Sequence, residues 1–138
     1  RLSCASRAVG LGAACLEVAK DYSLERKQFG KKLADFQMIQ ADLAEMYVHH
    51  QAAEMLVLKA AWKKDRGEKS TVDVSTAKYF AAESAVAAAN AAIKILGSYG
   101  FSTEYPVERF LRDSKSYQIV EGTSNVQKII ISRALLAE

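Results

Sequence analysis

The chain has 138 residues, of which 50% are hydrophobic and 25% are charged, a composition typical of one soluble globular domain. Its formal net charge of +3 is too small, and its basic residues too scattered, to predict a nucleic-acid partner. One proline, seven glycines and alanine-rich tracts without β-branched runs argue against a β fold and predict an all-α protein.

The first predicted helix runs from Leu2 to about Leu24, because small or apolar residues recur there every three or four positions. Cys4 and Cys15 both fall within it, so they cannot pair without breaking the helix, and a reducing compartment is expected. No run approaches the roughly 18 consecutive apolar residues of a membrane span, so no membrane partner is predicted. The chain enters helical periodicity directly at Arg1, which suggests a piece of a longer protein.

A basic loop from Arg26 to Lys32 comes next, and the apolar period resumes in a second helix from about Ile39 to Asp65. Gly67 is predicted as a left-handed cap for this helix. Ser70 and Asp73 have the spacing of a capping box for the next helix.

The third helix is predicted from about Val72 to Leu96, with small residues along its inner face. Gly97 and Gly100 end it. A short helix is predicted from near Pro106 through Asp113, and Thr123 begins the last helix, which ends near Leu136. The sequence therefore predicts an antiparallel up-and-down four-helix bundle with an additional short helix and no strand.

Two interruptions between helices carry candidate chemistry. Gly122 allows a sharp turn, Thr123 or Ser124 can cap the last helix, and Glu121 is left at the mouth of the turn, where it can face a ligand. The alternative is a glutamate that only favours the helix dipole. In the basic loop, Arg26 can grip a phosphate pair, or the loop is merely solvated with Phe29 in the core.

The sequence predicts neither a metal site nor any of the common enzyme classes that are recognised by a short motif. His49 and His50 are adjacent, so on a helix they cannot form the i, i+4 pair of a metal site. The sequence contains no CxxC, phosphate-binding Walker loop or GxGxxG motif. Glu121 remains the one good candidate for a catalytic group.

Several separated motifs occur in an order that resembles one known family: Glu25 to Gly30, Phe36-Gln37, Leu43 to Met46, Glu104 to Arg109, Arg112-Asp113 and Gln118 to Ser124. The chain resembles the C-terminal helical domain of the acyl-CoA dehydrogenase family over essentially residues 1–138. The resemblance implies that an N-terminal helical domain and a middle β-domain lie outside this chain. The chain alone is then expected to be an inactive piece.

In that family, the glutamate at the position of Glu121 is the base that removes the α-proton of an acyl-CoA, and FAD is the cofactor. The resemblance places Arg1 and Gly122 at the acyl-CoA, and Arg26, Gln28 and Phe29 at the FAD of a neighbouring subunit. Further implied FAD contacts are Gln37, Lys94, Ile95, Leu96, Gly97, Ser98, Thr123, Ser124 and Asn125.

The resemblance also implies a homo-oligomer, a dimer of dimers for the full-length chain, with electron-transfer flavoprotein as electron acceptor. The location would be the bacterial cytoplasm or the mitochondrial matrix. Glu121 argues against relatives that carry the base on the first helix, whereas acyl chain length is left open. Two alternatives stay open: an acyl-CoA oxidase that uses oxygen, and a catalytically silent relative that binds nucleic acid or serves as a scaffold.

Overall fold

The computed structural model describes residues 1–137, which form five α-helices and a two-stranded antiparallel sheet. The helices are α1 (Leu2–Glu25), α2 (Gln37–Asp65), α3 (Thr71–Leu96), α4 (Val107–Tyr117) and α5 (Ser124–Leu136). The strands β1 (Lys27–Gln28) and β2 (Lys31–Lys32) lie between α1 and α2. Short 3-10 turns cover Leu33–Asp35 and Gly97–Phe101.

Helix α3 is the centre of the molecule and packs against each of the other four α-helices. Its buried face consists mainly of alanine, whose methyl side chain lets neighbouring helices approach closely. The buried alanines of α3 are Ala77, Ala81, Ala82, Ala85, Ala88, Ala89 and Ala92. The predicted small-residue inner face is therefore confirmed.

Ion pairs at both ends show that α2 and α3 are antiparallel. Near the end of α2, Lys63 Nζ lies 2.9 Å from the Asp73 carboxylate at the start of α3. At the other end, Lys94 Nζ lies 2.8 Å from Asp42.

Helix α1 runs parallel to α3, because Arg1 at its start donates a hydrogen bond of 3.1 Å to Ser75 Oγ. Helix α5 runs antiparallel to α3, with Ser124 beside Glu83 and Lys128 over the Tyr79 ring. The all-α, up-and-down four-helix bundle of α1, α2, α3 and α5, with α4 as the additional helix, is confirmed.

The prediction of no strand is wrong at one place, the loop between α1 and α2. Lys27 pairs with Lys32 and Gln28 with Lys31. Phe29 and Gly30 between them have φ of 53° and 79°, the sign pattern of a two-residue hairpin turn that matches strand twist. Residue type alone does not indicate this turn, because phenylalanine rarely takes a positive φ.

Helix ends differ from prediction in two respects. Helix α4 continues to Tyr117 rather than ending at Asp113. The predicted capping box is wrong, since within residues 1–137 the Ser70 side chain caps no amide and Asp73 instead faces two lysines of α2. Gly67 has a φ of 69°, which confirms the left-handed cap after α2.

Helix α1 and the segment Thr71–Phe101 are long and apolar enough, by length and composition alone, to cross a membrane, with mean hydropathies of 1.3 and 1.2. Core helices of a bundle pass the same test, and both of these contribute to the buried clusters around α3. Within the described residues Cys4 and Cys15 form no disulfide. Burial raises the pKa of the Cys15 thiol to about 12.

Replacing Asp73 with Asn should destabilise the chain most at neutral pH. Hydrogen bonding from Lys63 lowers the pKa of Asp73 below its ordinary 3.8. A carboxyl whose pKa is lowered by folding stabilises the fold above its unfolded pKa, and this stabilisation is lost as pH falls through the folded pKa. We expect Asp73→Asn to lower the free energy of unfolding by about 1 kcal/mol at pH 7 and by less at pH 3.

Urea unfolding of both proteins at the two pH values measures the difference. Asp65→Asn, at an exposed position at the end of α2, is the matched control and should change little at either pH. An equal loss for Asp73→Asn at pH 7 and pH 3 would contradict the prediction.

Candidate active site

The segment between α4 and α5 presents a carboxylate on a left-handed turn. Glu121 has a φ of 58° and Gly122 a φ of 89°. A non-glycine residue in this region is uncommon and costs on the order of 1–3 kcal/mol, which contacts with its surroundings must offset. The Glu121 side chain is nevertheless 62% exposed, so its carboxylate is available to a ligand.

The start of α5 fixes one side of this turn. Thr123 Oγ1 accepts a hydrogen bond of 3.3 Å from the amide of Val126, which confirms the predicted cap. Ser124, the alternative candidate for the cap, instead donates a hydrogen bond of 2.6 Å from its hydroxyl to Glu83 Oε1. The other oxygen of Glu83 accepts a 2.8 Å hydrogen bond from Gln118 Nε2, so one carboxylate of α3 holds both ends of the turn.

A second set of hydrogen bonds holds the turn from the buried side of the bundle. Lys78 Nζ donates to the carbonyl oxygen of Gly122 at 2.7 Å, and Gln127 Nε2 donates to the same oxygen at 2.8 Å. Both side chains are fully buried. The Gly122 carbonyl thus accepts two hydrogen bonds, which resist rotation of the peptide that joins Gly122 to Thr123.

Sequence reasoning missed these four supporting side chains, Lys78, Glu83, Gln118 and Gln127. Of these four residues, only Lys78 could have been recognised from the sequence as unusual, because it lies within the alanine-rich tract on the inward-packing face of α3. A lysine on such a face is rarely buried without a partner. Its partner lies 44 residues away, a separation at which helical periodicity carries no information.

Arg1 lies beside Glu121. Its backbone nitrogen is 3.5 Å from Glu121 Oε2, and its guanidinium donates to Ser75 Oγ on α3. The structure thereby brings together the predicted base Glu121 with Arg1 and Gly122, the two residues predicted to contact acyl-CoA.

The hairpin and the far end of α3 form a separate cleft of about 230 Å³. Arg26 and Gln28 line it together with Ile95, Leu96, Gly97 and Ser98, as do Tyr22, Leu33 and Tyr99. The Arg26 guanidinium and the Gln28 amide in this lining suit a phosphate-bearing cofactor such as FAD. Ligand pockets are usually about 300–1,000 Å³, so this cleft would hold only part of a dinucleotide.

Other predicted FAD residues lie outside the cleft lining. Phe29 is 92% exposed and contacts the Phe36 ring, so the alternative that placed it in the core is wrong. Gln37 and Asn125 are exposed. Lys94 turns to Asp42, to which its Nζ donates a hydrogen bond of 2.8 Å.

The remaining predicted FAD contacts lie beside the Glu121 turn, which packs against the half of α3 that contains Glu83; they are Thr123, Ser124 and Asn125. Residues 83 and 95 of α3 are separated by about 18 Å at the helical rise of about 1.5 Å per residue. The cleft and the turn are therefore distinct sites on one helix. Among residues 1–137, no group of three His, Cys, Asp or Glu side chains could hold a metal ion.

The fold and these two sites define a helical-bundle domain that offers a carboxylate at one end and a basic cleft at the other. Residues 1–136 match the family model described as acyl-CoA dehydrogenase, C-terminal domain. The chain belongs to the acyl-CoA dehydrogenase family.

Relatives of known sequence and structure agree. Glutaryl-CoA dehydrogenase of Desulfococcus multivorans is 51% identical over 96% of this chain and 34% of its own length. The structure of butyryl-CoA dehydrogenase from Megasphaera elsdenii matches with a TM-score of 0.98 and 45% identity, over 99% of this chain and 36% of that one.

A chain from a structural study of the electron transferring flavoprotein of Acidaminococcus fermentans matches with a TM-score of 0.99 and 39% identity, over 100% of this chain and 36% of that one. The chain thus spans about a third of the length of these proteins.

Proposed function

We propose that the chain is the C-terminal domain of a flavin-dependent acyl-CoA dehydrogenase, which converts an acyl-CoA thioester to the trans-2-enoyl-CoA with Glu121 as the α-proton base. The observation that carries the proposal is the exposed Glu121 carboxylate on a left-handed turn held by α3 and α5. Strained backbone of this kind is typical of functional sites.

The chemistry needs a base and a polarised thioester together, because the α C–H bond is a weak acid. The Glu121 carboxylate would accept the α-proton. The main-chain amide of Glu121 would donate a hydrogen bond to the thioester oxygen, where negative charge develops. Gly122, without a side chain, would let the thioester approach the backbone, and Arg1 would line the acyl-CoA site. When bound, FAD supplies the acceptor for the β-hydride.

Arg26 and Gln28, with Ile95, Leu96, Gly97 and Ser98 across the cleft, would hold part of FAD. The family resemblance assigns this FAD to a neighbouring subunit and adds Phe29, Gln37 and Lys94 as contacts. Phe29 supports this assignment, because an aromatic side chain so fully exposed within residues 1–137 can gain contact area from a group outside them, as the FAD of a neighbouring subunit would be.

Replacing Arg26 should weaken FAD retention in the full-length protein. Arg26→Ala removes a bidentate phosphate grip, whereas Arg26→Lys keeps the charge but loses the fork. We expect FAD content after extensive dialysis to fall several-fold in Arg26→Ala and less in Arg26→Lys. Lys27→Ala, an exposed cation in the same hairpin, should retain FAD like the wild type. Equal FAD content in all four proteins would assign Arg26 to a solvated loop.

We further propose that the full-length protein contains an N-terminal helical and a middle β-domain and assembles as a dimer of dimers. Exposed apolar side chains at seven-residue spacing on α2, Val48, Met55 and Trp62, support self-association. Electron-transfer flavoprotein would be the electron acceptor, which the match to a chain from the Acidaminococcus study supports. The bacterial relatives support a cytoplasmic location.

The test is to mix the full-length holoprotein anaerobically with a panel of straight, branched and dicarboxylic acyl-CoA thioesters. We expect bleaching of the flavin absorbance with at least one thioester and the matching 2-enoyl-CoA by mass spectrometry. Bleaching with none would refute the proposal. Rapid return of the colour in air, without electron-transfer flavoprotein, would identify an oxidase instead.

A further inference from the structure

Lys78 is a fully buried lysine whose ammonium group points at the candidate active site. Its side chain lies about two turns from the start of α3, a helix otherwise buried mainly through alanine and serine. Lysine is among the residues least often fully buried, because desolvation of its charge is costly. A fold that needed only packing at this position would be served by an apolar side chain of similar volume.

The groups that face Lys78 come from three elements: Cys4 on α1, Glu83 on α3 itself and Glu121 on the turn. Burial lowers the pKa of Lys78, and the three acidic groups oppose that effect. Either protonation state of the amine keeps an N–H that can donate to a carbonyl. The hydrogen bond to Gly122 O at 2.7 Å therefore does not depend on the charge of Lys78.

The acceptor of this bond belongs to the residue that directly follows Glu121. With φ of 58° at Glu121 and 89° at Gly122, the turn lies outside the regions that an unrestrained glutamate prefers. Release of the Gly122 carbonyl would let the turn relax and reorient both the amide and the carboxylate of Glu121. A displacement of about 1 Å in a reacting group can lower a rate about 10²-fold.

We propose that Lys78 is a positioning residue for proton abstraction: its hydrogen bond to Gly122 O holds the turn so that the amide and the carboxylate of Glu121 face the same thioester. This inference rests on the proposed function. Lys78 itself touches neither substrate nor cofactor in this arrangement. Gln127 shares the task, since it donates to the same oxygen.

The experiment uses the full-length holoprotein with Lys78→Met, which introduces an unbranched apolar side chain only one atom shorter and removes the donor. Lys64→Met, an exposed lysine on α2, is the matched control. A 3-thiaacyl-CoA in D2O isolates proton removal, because the sulfur at the β position has no hydride to give. Deuterium incorporated at the α-carbon is measured by mass spectrometry, and amide hydrogen exchange of residues 118–127 reports the turn.

For Lys78→Met we expect α-deuterium incorporation to slow about 10–100-fold and the amides of the turn to exchange at least about 10-fold faster. FAD content and the Kd for the thioester should stay within about two-fold of the wild type. Lys64→Met should match the wild type throughout. An α-exchange rate of Lys78→Met within about two-fold of the wild type would overturn the proposal, whatever the turn amides do.

If Lys78→Met does not fold, Lys78→Gln takes its place, because glutamine is polar but one atom shorter than lysine, which weakens or breaks the 2.7 Å hydrogen bond to Gly122 O, and the same outcomes decide. Glu121→Gln separates this inference from the function on which it rests. Normal α-exchange in Glu121→Gln would remove the proposed function itself. Loss of exchange in Glu121→Gln with normal exchange in Lys78→Met would remove only the role of Lys78.

Discussion

Glu121→Gln in the full-length holoprotein should slow reduction of the bound flavin by acyl-CoA by about 10²–10⁴-fold, at or beyond the upper end of this range. The amide keeps the size of the side chain but cannot accept the α-proton at neutral pH. Substrate binding and FAD content should change little, because the main-chain amide and the Arg26 cleft are untouched. The fold should be preserved, since Thr123 still caps α5.

Anaerobic stopped-flow spectroscopy with the best acyl-CoA measures this rate. Glu17→Gln, an exposed glutamate on α1, is the matched control and should react like the wild type. If Glu121→Gln reduced its flavin within a few-fold of the wild-type rate, the base would lie elsewhere, with the first helix as the next place to search.

Gly122→Ala should impair both stability and rate. A Cβ at Gly122 would lie 2.7 Å from Gln127 Nε2, the buried group that donates to the Gly122 carbonyl, and the φ of 89° is unfavourable for alanine. We expect the free energy of unfolding to fall by about 1–3 kcal/mol. Flavin reduction should slow by about 10²-fold, because the displaced turn carries Glu121 with it.

Chemical denaturation and stopped-flow measurements of the same preparations test both effects. Gly10→Ala is the control, because Gly10 lies inside α1 and a Cβ there meets no described atom within 4 Å apart from its chain neighbours and the adjacent backbone of α1. Alanine should stabilise that helix by about 0.5–1 kcal/mol and leave the rate unchanged. A Gly122→Ala protein as stable and as fast as the wild type would show that the turn tolerates a side chain.

The sequence predicted the parts of this structure that depend on local pattern. The buried stripes of α1, α2 and α3 appear as apolar or small residues at helical spacing, and Gly67 and Thr123 mark helix ends through their own backbone and side-chain chemistry. Glu121 stood out because it precedes a glycine and a hydroxyl pair at a helix start.

The features that escaped sequence-based prediction depend mostly on residues far apart in the chain. Glu83 and Ser124 are separated by 41 positions and Lys78 and Gly122 by 44, so only the packed bundle shows that α3 holds the turn. Asp73 has the spacing of a capping-box partner for Ser70, but its carboxylate forms ion pairs with Lys59 and Lys63 of α2 instead. The hairpin was missed because Phe29 takes a backbone conformation that its residue type disfavours.

The central helix α3 carries contacts to both sites, Lys78 and Glu83 toward the turn and Ile95 and Leu96 at the basic cleft. Each residue added to an α-helix rotates the remainder of the helix by about 100° and advances it by about 1.5 Å. One small residue can therefore replace another along this helix without moving either site. An insertion or deletion between residues 83 and 95 would instead rotate and shift one site relative to the other. The alignment of the two sites therefore depends more on the length of this segment than on which small residues it contains.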